Sequence, residues 1–265
     1  MVVGRDETCG AAAAGELATA SDHGDVQFLG ADLASQQEIR RLAGAVVDRC
    51  GTLDILVNNA AVVAATRRQT MDGMEATLAV GHLAPFLLTE LLLPVLCSSA
   101  PSRIVNVTSG AVRRTELKLD DLQSERDYHP LRAYERAKLM SLIWTFELAR
   151  RLEGTDVEVS AADPVVADAG THRHYPWPTP VRTAMVIARP LLHRLLSAQR
   201  AAAGSIYAAS SPDLNEQTGL LLDRRCRPVD PPAAARSQRP AGRSGHPRVA
   251  APRLKGRSHD HVPSG

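Results

Sequence analysis

Short apolar runs that turn polar at their carboxyl ends constrain this chain more than any other feature. "LDILVNNAA" (Leu53–Ala61) runs into two asparagines, "RIVNVTSGA" (Arg103–Ala111) into Thr108-Ser109, and "DVEVSAADP" (Asp156–Pro164) into Asp163-Pro164. "DVQFLGADL" (Asp25–Leu33) ends in Asp32-Leu33, "QTGLLLD" (Gln217–Asp223) reads as a last strand, and "MVVG" as the end of a first one. Helical stretches lie between them. "SQQEIRRLAGAVVDRCG" (Ser35–Gly51) has a Ser cap, helical apolar spacing and a closing Gly. A helix is expected over roughly Met71–Cys97. "LRAYERAKLMSLIWTFELARRLEG" (Leu131–Gly154) is a long amphipathic helix, and "RLLSAQRAAAGSIYAAS" (Arg194–Ser210) is helical. Strands alternating with helices of this length imply an α/β fold, a doubly wound parallel sheet with helices on both faces. In such sheets a ligand sits beyond the carboxyl ends of the strands, where the polar residues recur.

At 265 residues with 44% apolar side chains the chain can build a real core, and with only 3% aromatic residues that core is aliphatic. Cys9, Cys50, Cys97 and Cys226 are scattered without a C-x-x-C, which points to neither zinc nor a disulfide framework. No secretory signal is visible. The longest apolar stretch, Leu83–Cys97, is 15 residues and carries Glu90, short of the roughly 20 a membrane span needs. A core helix and a cytoplasmic protein without a membrane partner are expected. From Arg224 to Gly265 there are ten Lys or Arg against two Asp, seven prolines and almost no large apolar residue. Such a stretch cannot offset its ordering entropy. Residues 224–265 are therefore expected to be a disordered Pro/Arg-rich tail behind a domain at 1–223. With no aromatic residues interleaved among its basic ones, nucleic acid is not expected as a partner.

"YERAK" carries the sharpest chemistry. Tyr134 and Lys138 are four residues apart on an expected helix and share a face. A phenol titrates near about 10 and is a poor base at neutral pH. A neighbouring ammonium lowers that value, and a drop of about 3 units takes roughly 4 kcal/mol of differential stabilisation. Such a tyrosine can protonate a carbonyl oxygen, or deprotonate an alcohol, as hydride moves at carbon. Ser109 is placed to hold the same oxygen. Alone, Y-x-x-x-K is a weak signal that mostly marks a solvated helix face. The histidines show no metal-ligand spacing, so no metal is expected. Tyr175 and Trp177 in "THRHYPWPTP" could contact a substrate or merely pack a Pro-rich loop.

The conjunction of Asp32-Leu33, Asn58-Asn59-Ala60-Ala61, Thr108-Ser109, Tyr134/Lys138 and Asp163-Pro164, in that order, resembles the short-chain dehydrogenase/reductase family over residues 1 to about 223. The 25 residues from Ser109 to Tyr134, and "HLAPFLLT" at His82–Thr89, are similar to its retinol-dehydrogenase-like branch. The resemblance implies a Rossmann-like fold and an NAD(P)-dependent interconversion of a carbonyl and an alcohol on a small, apolar substrate. Tyr134 would be the acid/base, Lys138 would lower its pKa and bind the nicotinamide ribose, and Ser109 would orient the substrate oxygen. Asp32 and Leu33 would flank the adenine, Asn59, Ala60 and Ala61 would line the cofactor, and Pro164 would lie at its nicotinamide end. Arg5 stands where members of the family that use NADP bind the 2′-phosphate. An acid directly at that strand end would grip NAD instead, and Asp6 comes one residue later, so NADP is expected over NAD. The resemblance also implies a homodimer through the helices holding Pro85–Leu96 and Tyr134–Leu152.

The same comparison exposes departures. The family opens with a strand and a glycine-rich turn, T-G-x-x-x-G-x-G, that holds the pyrophosphate on backbone N–H groups; nothing here matches it. "MVVGRD" resembles the family's second strand instead, so the fold is expected to be truncated or internally deleted, without its first strand. In the family's order, 3-2-1-4-5-6-7, that strand is central. Either its neighbours pair directly or the sheet is marginal, since each buried unpaired backbone group costs about 1–3 kcal/mol. Gly81 stands in "GHLA" where the family often has an asparagine, Ala61 where it often has glycine, Val165 where glycine follows the proline, and Ala169 where a threonine is usual. These departures support a second reading: a catalytically inactive remnant, or a binding protein of the same fold.

Overall fold

The computed structural model describes residues 1–21, 24–164 and 198–236. Six parallel strands alternate with helices, in the order β1 (Val2–Gly4), α1 (Glu7–Ala20), β2 (Phe28–Gly30), α2 (Gln36–Cys50), β3 (Ile55–Asn58), α3 (Ala76–Ser98), β4 (Ser102–Val107), α4 (Pro130–Arg151), β5 (Val157–Ala162), α5 (Ala198–Ser210), β6 (Leu220–Leu222) and α6 (Ala233–Arg236). Val165, Ala169, Thr171, Tyr175 and Trp177, and residues 237–265, lie outside the described residues.

Local chemistry sets the ends of these elements. Asp6 caps α1 by accepting from Cys9 N at 2.8 Å, and Ser35 caps α2 by accepting from Glu38 N at 3.3 Å. Gly51 closes α2 at φ 66°, its N–H donating to Val47 O. Pro130 opens α4 in the first turn, where no backbone donor is lost. α1 is Ala-rich and lies close on β2. A Cβ at Gly10 would come within 2.0 Å of the Phe28 ring, so only glycine allows that approach.

β3, β4, β5 and β6 form a four-stranded parallel sheet in that order, and β1 pairs with β2 as a separate parallel pair. β4 and β5 are central, and Ile104, Val105, Val159 and Ala161 are fully buried, as strands covered on both faces require. Leu29 of β2 joins Ile39, Leu42 and Val46 of α2, Leu88, Leu92 and Leu96 of α3 and Trp144 and Leu148 of α4 in one aliphatic core. A second core sets Leu139, Leu142 and Phe146 of α4 against Leu221, and a third gathers Leu214, Leu220 and Leu222 around Val105.

The strands that flank the expected gap do not pair. Val2 N donates to Gln27 O and Ala31 N donates to Gly4 O, so Val3 turns its own N–H and C=O away from β2. Arg103 N donates to Asp54 O, which by the same alternation turns the backbone groups of Ile55 and Val57 away from β4. Val3, Ile55 and Val57 are 39%, 42% and 43% exposed. Of the two expected outcomes, the split sheet is the one found.

Two further expectations are corrected. The apolar helix does not start at Met71: α3 runs 23 residues, Ala76–Ser98, which by length and composition alone suffices to cross a membrane, although the helix contributes heavily to the first core. The boundary after Asp223 also moves. Asp223 N donates to Arg227 O and Val229 N to Leu221 O, folding the chain back along β6, and Ala235 of α6 is fully buried in the second core. Val229 and the alanines supply just enough apolar contact to dock residues 224–236, which an average over the whole basic tail conceals.

Candidate active site

The carboxyl ends of β3, β4 and β5 and one face of α4 meet at a single place. β4 ends at Val107, and Thr108 N donates to Ala162 O at 2.9 Å, keeping the end of β4 beside that of β5. Thr108 Oγ1 also reaches the Lys138 carbonyl at 3.4 Å, which ties α4 to the strand end. Ser109 follows, 7% exposed, accepting from Ala111 N at 3.3 Å to cap the short 3-10 turn Gly110–Arg114. The same hydroxyl lies close enough to the Tyr134 phenol for hydrogen bonding between them to act against the rise in the phenol's pKa. Ser109 and Tyr134, 25 residues apart in sequence, therefore come together at the mouth of the sheet.

Lys138, one turn along α4, is 3% exposed. Its ammonium donates to Val107 O at 2.7 Å. Burial pulls its pKa down from 10.5 to about 8. Tyr134 departs from expectation. Burial first, then the Asp163 charge, push its pKa above the ordinary phenol value, and only the Ser109 bond opposes them. The expected depression by Lys138 is not found: the ammonium is engaged with a backbone carbonyl and is itself costly to charge.

The remaining residues divide. Ala60 lines a small cavity with Lys138, Asn58, Asn106 and Gly81. Asn59 is exposed just past β3, Ala61 is half-buried, and Pro164 is half-buried past β5. Arg5, Asp32 and Leu33 lie across the open edge, on the β1–β2 pair. Arg5 is exposed at the end of β1. Asp32 accepts from Ala34 N at 2.9 Å in the turn before α2, and Leu33 packs on the first core. Gly81 has a packing reason: a Cβ there would stand 3.1 Å from Ala137 Cβ on α4. Among the described residues no group of His, Cys, Asp or Glu could hold a metal.

Sequence reasoning missed three parts. Asp163, 4% exposed, places its charge on Tyr134; its position at a strand end was visible but its reach was not. The Val107 carbonyl that holds Lys138 carries no side-chain signal at all. Ser141, which donates to Gly81 O at 2.8 Å, sits three residues beyond Lys138, and that helical spacing could have found it.

The family model for short chain dehydrogenases matches residues 1–175. Mouse retinol dehydrogenase 14 is 39% identical over 222 residues, covering 81% of this chain and 63% of that protein. Human retinol dehydrogenase 12 is 40% identical over 170 residues, covering 64% and 54%. A crystal structure of a putative uncharacterized protein from Mycobacterium paratuberculosis superposes with a TM-score of 0.61 at 28% identity, covering 88% of this chain and 76% of that one. A putative NAD(P)-dependent gluconate 5-dehydrogenase from Beutenbergia cavernae, with bound NADP, has a TM-score of 0.63 at 21% identity, covering 84% and 83%. The chain belongs to the short-chain dehydrogenase family, a family of enzymes. Within it the chain falls with the retinol-dehydrogenase-like branch, and it spans less than two thirds of the length of these two retinol dehydrogenases.

Proposed function

We propose that this chain is an oxidoreductase that interconverts a carbonyl and an alcohol on a small, apolar molecule. The observation that carries the reading is the meeting of Ser109 and Tyr134 at the strand ends, with Lys138 buried one turn on. The phenol and the serine hydroxyl converge where one substrate oxygen can meet both. Burial and Asp163 hold the Tyr134 phenol protonated, ready to donate to a carbonyl oxygen. Ser109 aligns the oxygen to receive that proton. Lys138 supplies the positive charge beneath the site and two further N–H donors beyond the one Val107 takes.

A nicotinamide dinucleotide supplies the hydride in this chemistry when bound. The residues present fit its nicotinamide end, where Lys138 and Ala60 line one small cavity and Asn59, Ala61 and Pro164 follow the ends of β3 and β5. They do not fit its pyrophosphate end: the one helix start beside that edge, α1, is already capped by the Asp6 carboxylate. Arg5, exposed while Asp6 is committed to its cap, favours NADP over NAD. α3 is read as a core helix of a cytoplasmic protein. A homodimer across the outer faces of α3 and α4 is supported by Phe86, which α3 leaves 37% exposed.

The split sheet favours a second reading, a non-catalytic protein of the same fold. The two separate on a panel of small apolar aldehydes and ketones with NADPH, followed by absorbance. Turnover is expected, and Tyr134→Phe should reduce it by about 10²–10⁴-fold, the usual worth of a positioned proton donor. Absence of turnover across the panel, or a Tyr134→Phe protein as fast as its parent, overturns the enzymatic reading.

A further inference from the structure

From the end of β4 the chain passes through the 3-10 turn Gly110–Arg114 to Thr115. Ala111 in that turn is engaged at both its backbone groups. Its N–H donates to Ser109 Oγ at 3.3 Å, and its C=O accepts from Thr115 Oγ1 at 3.2 Å. The same Thr115 hydroxyl lies 3.4 Å from Glu135 Oε2 on α4. A hydroxyl has one proton to give, so Thr115 shares it between two acceptors, and both distances are longer than that of an unshared bond. Glu135 directly follows Tyr134. A run of hydrogen bonds therefore leads from the Ser109 hydroxyl through Ala111 and Thr115 to the neighbour of Tyr134.

The turn is also held by packing. Val112 is buried in the second core with Leu139 and Leu142 of α4 and Ala235 of α6. Apolar contact is non-directional. It sets how closely the turn lies on α4 and leaves open which way the Ser109 hydroxyl faces. Hydrogen bonds have direction, and those on Ala111 supply it. Glu135 gains from the arrangement as well. Burial raises its carboxyl above the ordinary value, and the Thr115 bond opposes that rise. No step of the proposed reaction uses Thr115 or Glu135.

We propose that Thr115 and Glu135 are positioning residues, which tie the turn carrying Ser109 to the turn of α4 carrying Tyr134 and so set the Ser109 hydroxyl toward the phenol. The tie acts through Ser109 and touches no substrate. Its use in turnover rests on the oxidoreductase reading; the tie itself does not.

The test therefore reads the Tyr134 phenol itself, without cofactor or substrate. The protein is made with meta-fluorotyrosine, whose phenol ionises at lower pH than that of tyrosine, and its four tyrosines are titrated by ¹⁹F NMR. Tyr134 is the signal lost in Tyr134→Phe. Hydrogen bonding with Ser109 acts against the rise in this phenol's pKa, so a displaced hydroxyl lets the value climb. Ser109→Ala should raise it by about half a unit to one unit, the worth of one hydrogen bond. Thr115→Val and Glu135→Ala should each raise it similarly, although loss of the Glu135 charge alone would move it the other way. Thr115→Ser and Glu135→Gln, which keep a donor and an acceptor, should titrate no higher than the parent. A Tyr134 signal that moves in Ser109→Ala but stays at the parent value in Thr115→Val or in Glu135→Ala overturns the tie. A signal unmoved by Ser109→Ala overturns both the tie and the meeting of Ser109 with Tyr134 that carries the oxidoreductase reading. Should Thr115→Val fail to fold, Glu135→Ala decides alone from the α4 end.

Discussion

At Ser109 one hydroxyl caps a 3-10 turn while standing beside the Tyr134 phenol, so its place is set before any substrate arrives. Lys138 is costly by comparison. Its folded pKa of about 8 lies below the ordinary 10.5, so the unfolded chain binds more protons between these values and stability rises with pH across that window. Below about 8 the full penalty of a buried charge is present. Lys138→Met should therefore stabilise the protein by about 2 kcal/mol at neutral pH, after allowing for the lost bond to Val107. The gain should vanish toward pH 10.5, as read by urea unfolding across pH. A destabilised Lys138→Met protein at neutral pH would refute the buried charge. The placement of Tyr134 and Lys138 on one helix and of Ser109 at a strand end was legible because such spacing survives in the sequence. The direction of the Tyr134 shift was not, because it depends on Asp163 and on burial that only the fold supplies.

At the scale of elements, strands and helices followed closely from apolar runs, caps and closing glycines, and the β1–β3 discontinuity was readable from the strand that "MVVGRD" resembles. Whether the edges would close was not readable from the sequence. The open edges predict a pattern in hydrogen exchange. The amides of Val3, Ile55 and Val57 should exchange rapidly, while those of Val105 and Val159 in the central strands should be among the slowest. Slow exchange at Ile55 and Val57 would mean that something pairs with this edge. α6 carries the opposite lesson. Its sequence lies in a stretch too polar and Pro-rich to suggest structure, yet Ala235 is fully buried against α4. Ala235→Asp should lower unfolding free energy by about 2–4 kcal/mol, since a carboxylate there has no water. Melting unchanged by that substitution would return residues 224–236 to the tail.

The whole molecule divides its work across the open edge. On one side, β3 to β6 and α4 bring together Ser109, Tyr134 and Lys138, the residues proposed to handle the proton. On the other, β1 and β2 carry Arg5, Asp32 and Leu33, where an adenosine end would lie. Among the described residues no backbone cradle for a pyrophosphate joins the two, so under the proposed function affinity would come from the ends, with the buried Lys138 ammonium as the charged donor at one of them. A fluorescence titration of NADPH into the parent chain and Lys138→Met measures that contribution most directly. The account predicts saturable binding by the parent, weakened about tenfold or more in Lys138→Met, as expected for loss of a charge-assisted hydrogen bond. No binding at millimolar NADPH, or equal binding by both proteins, would contradict it.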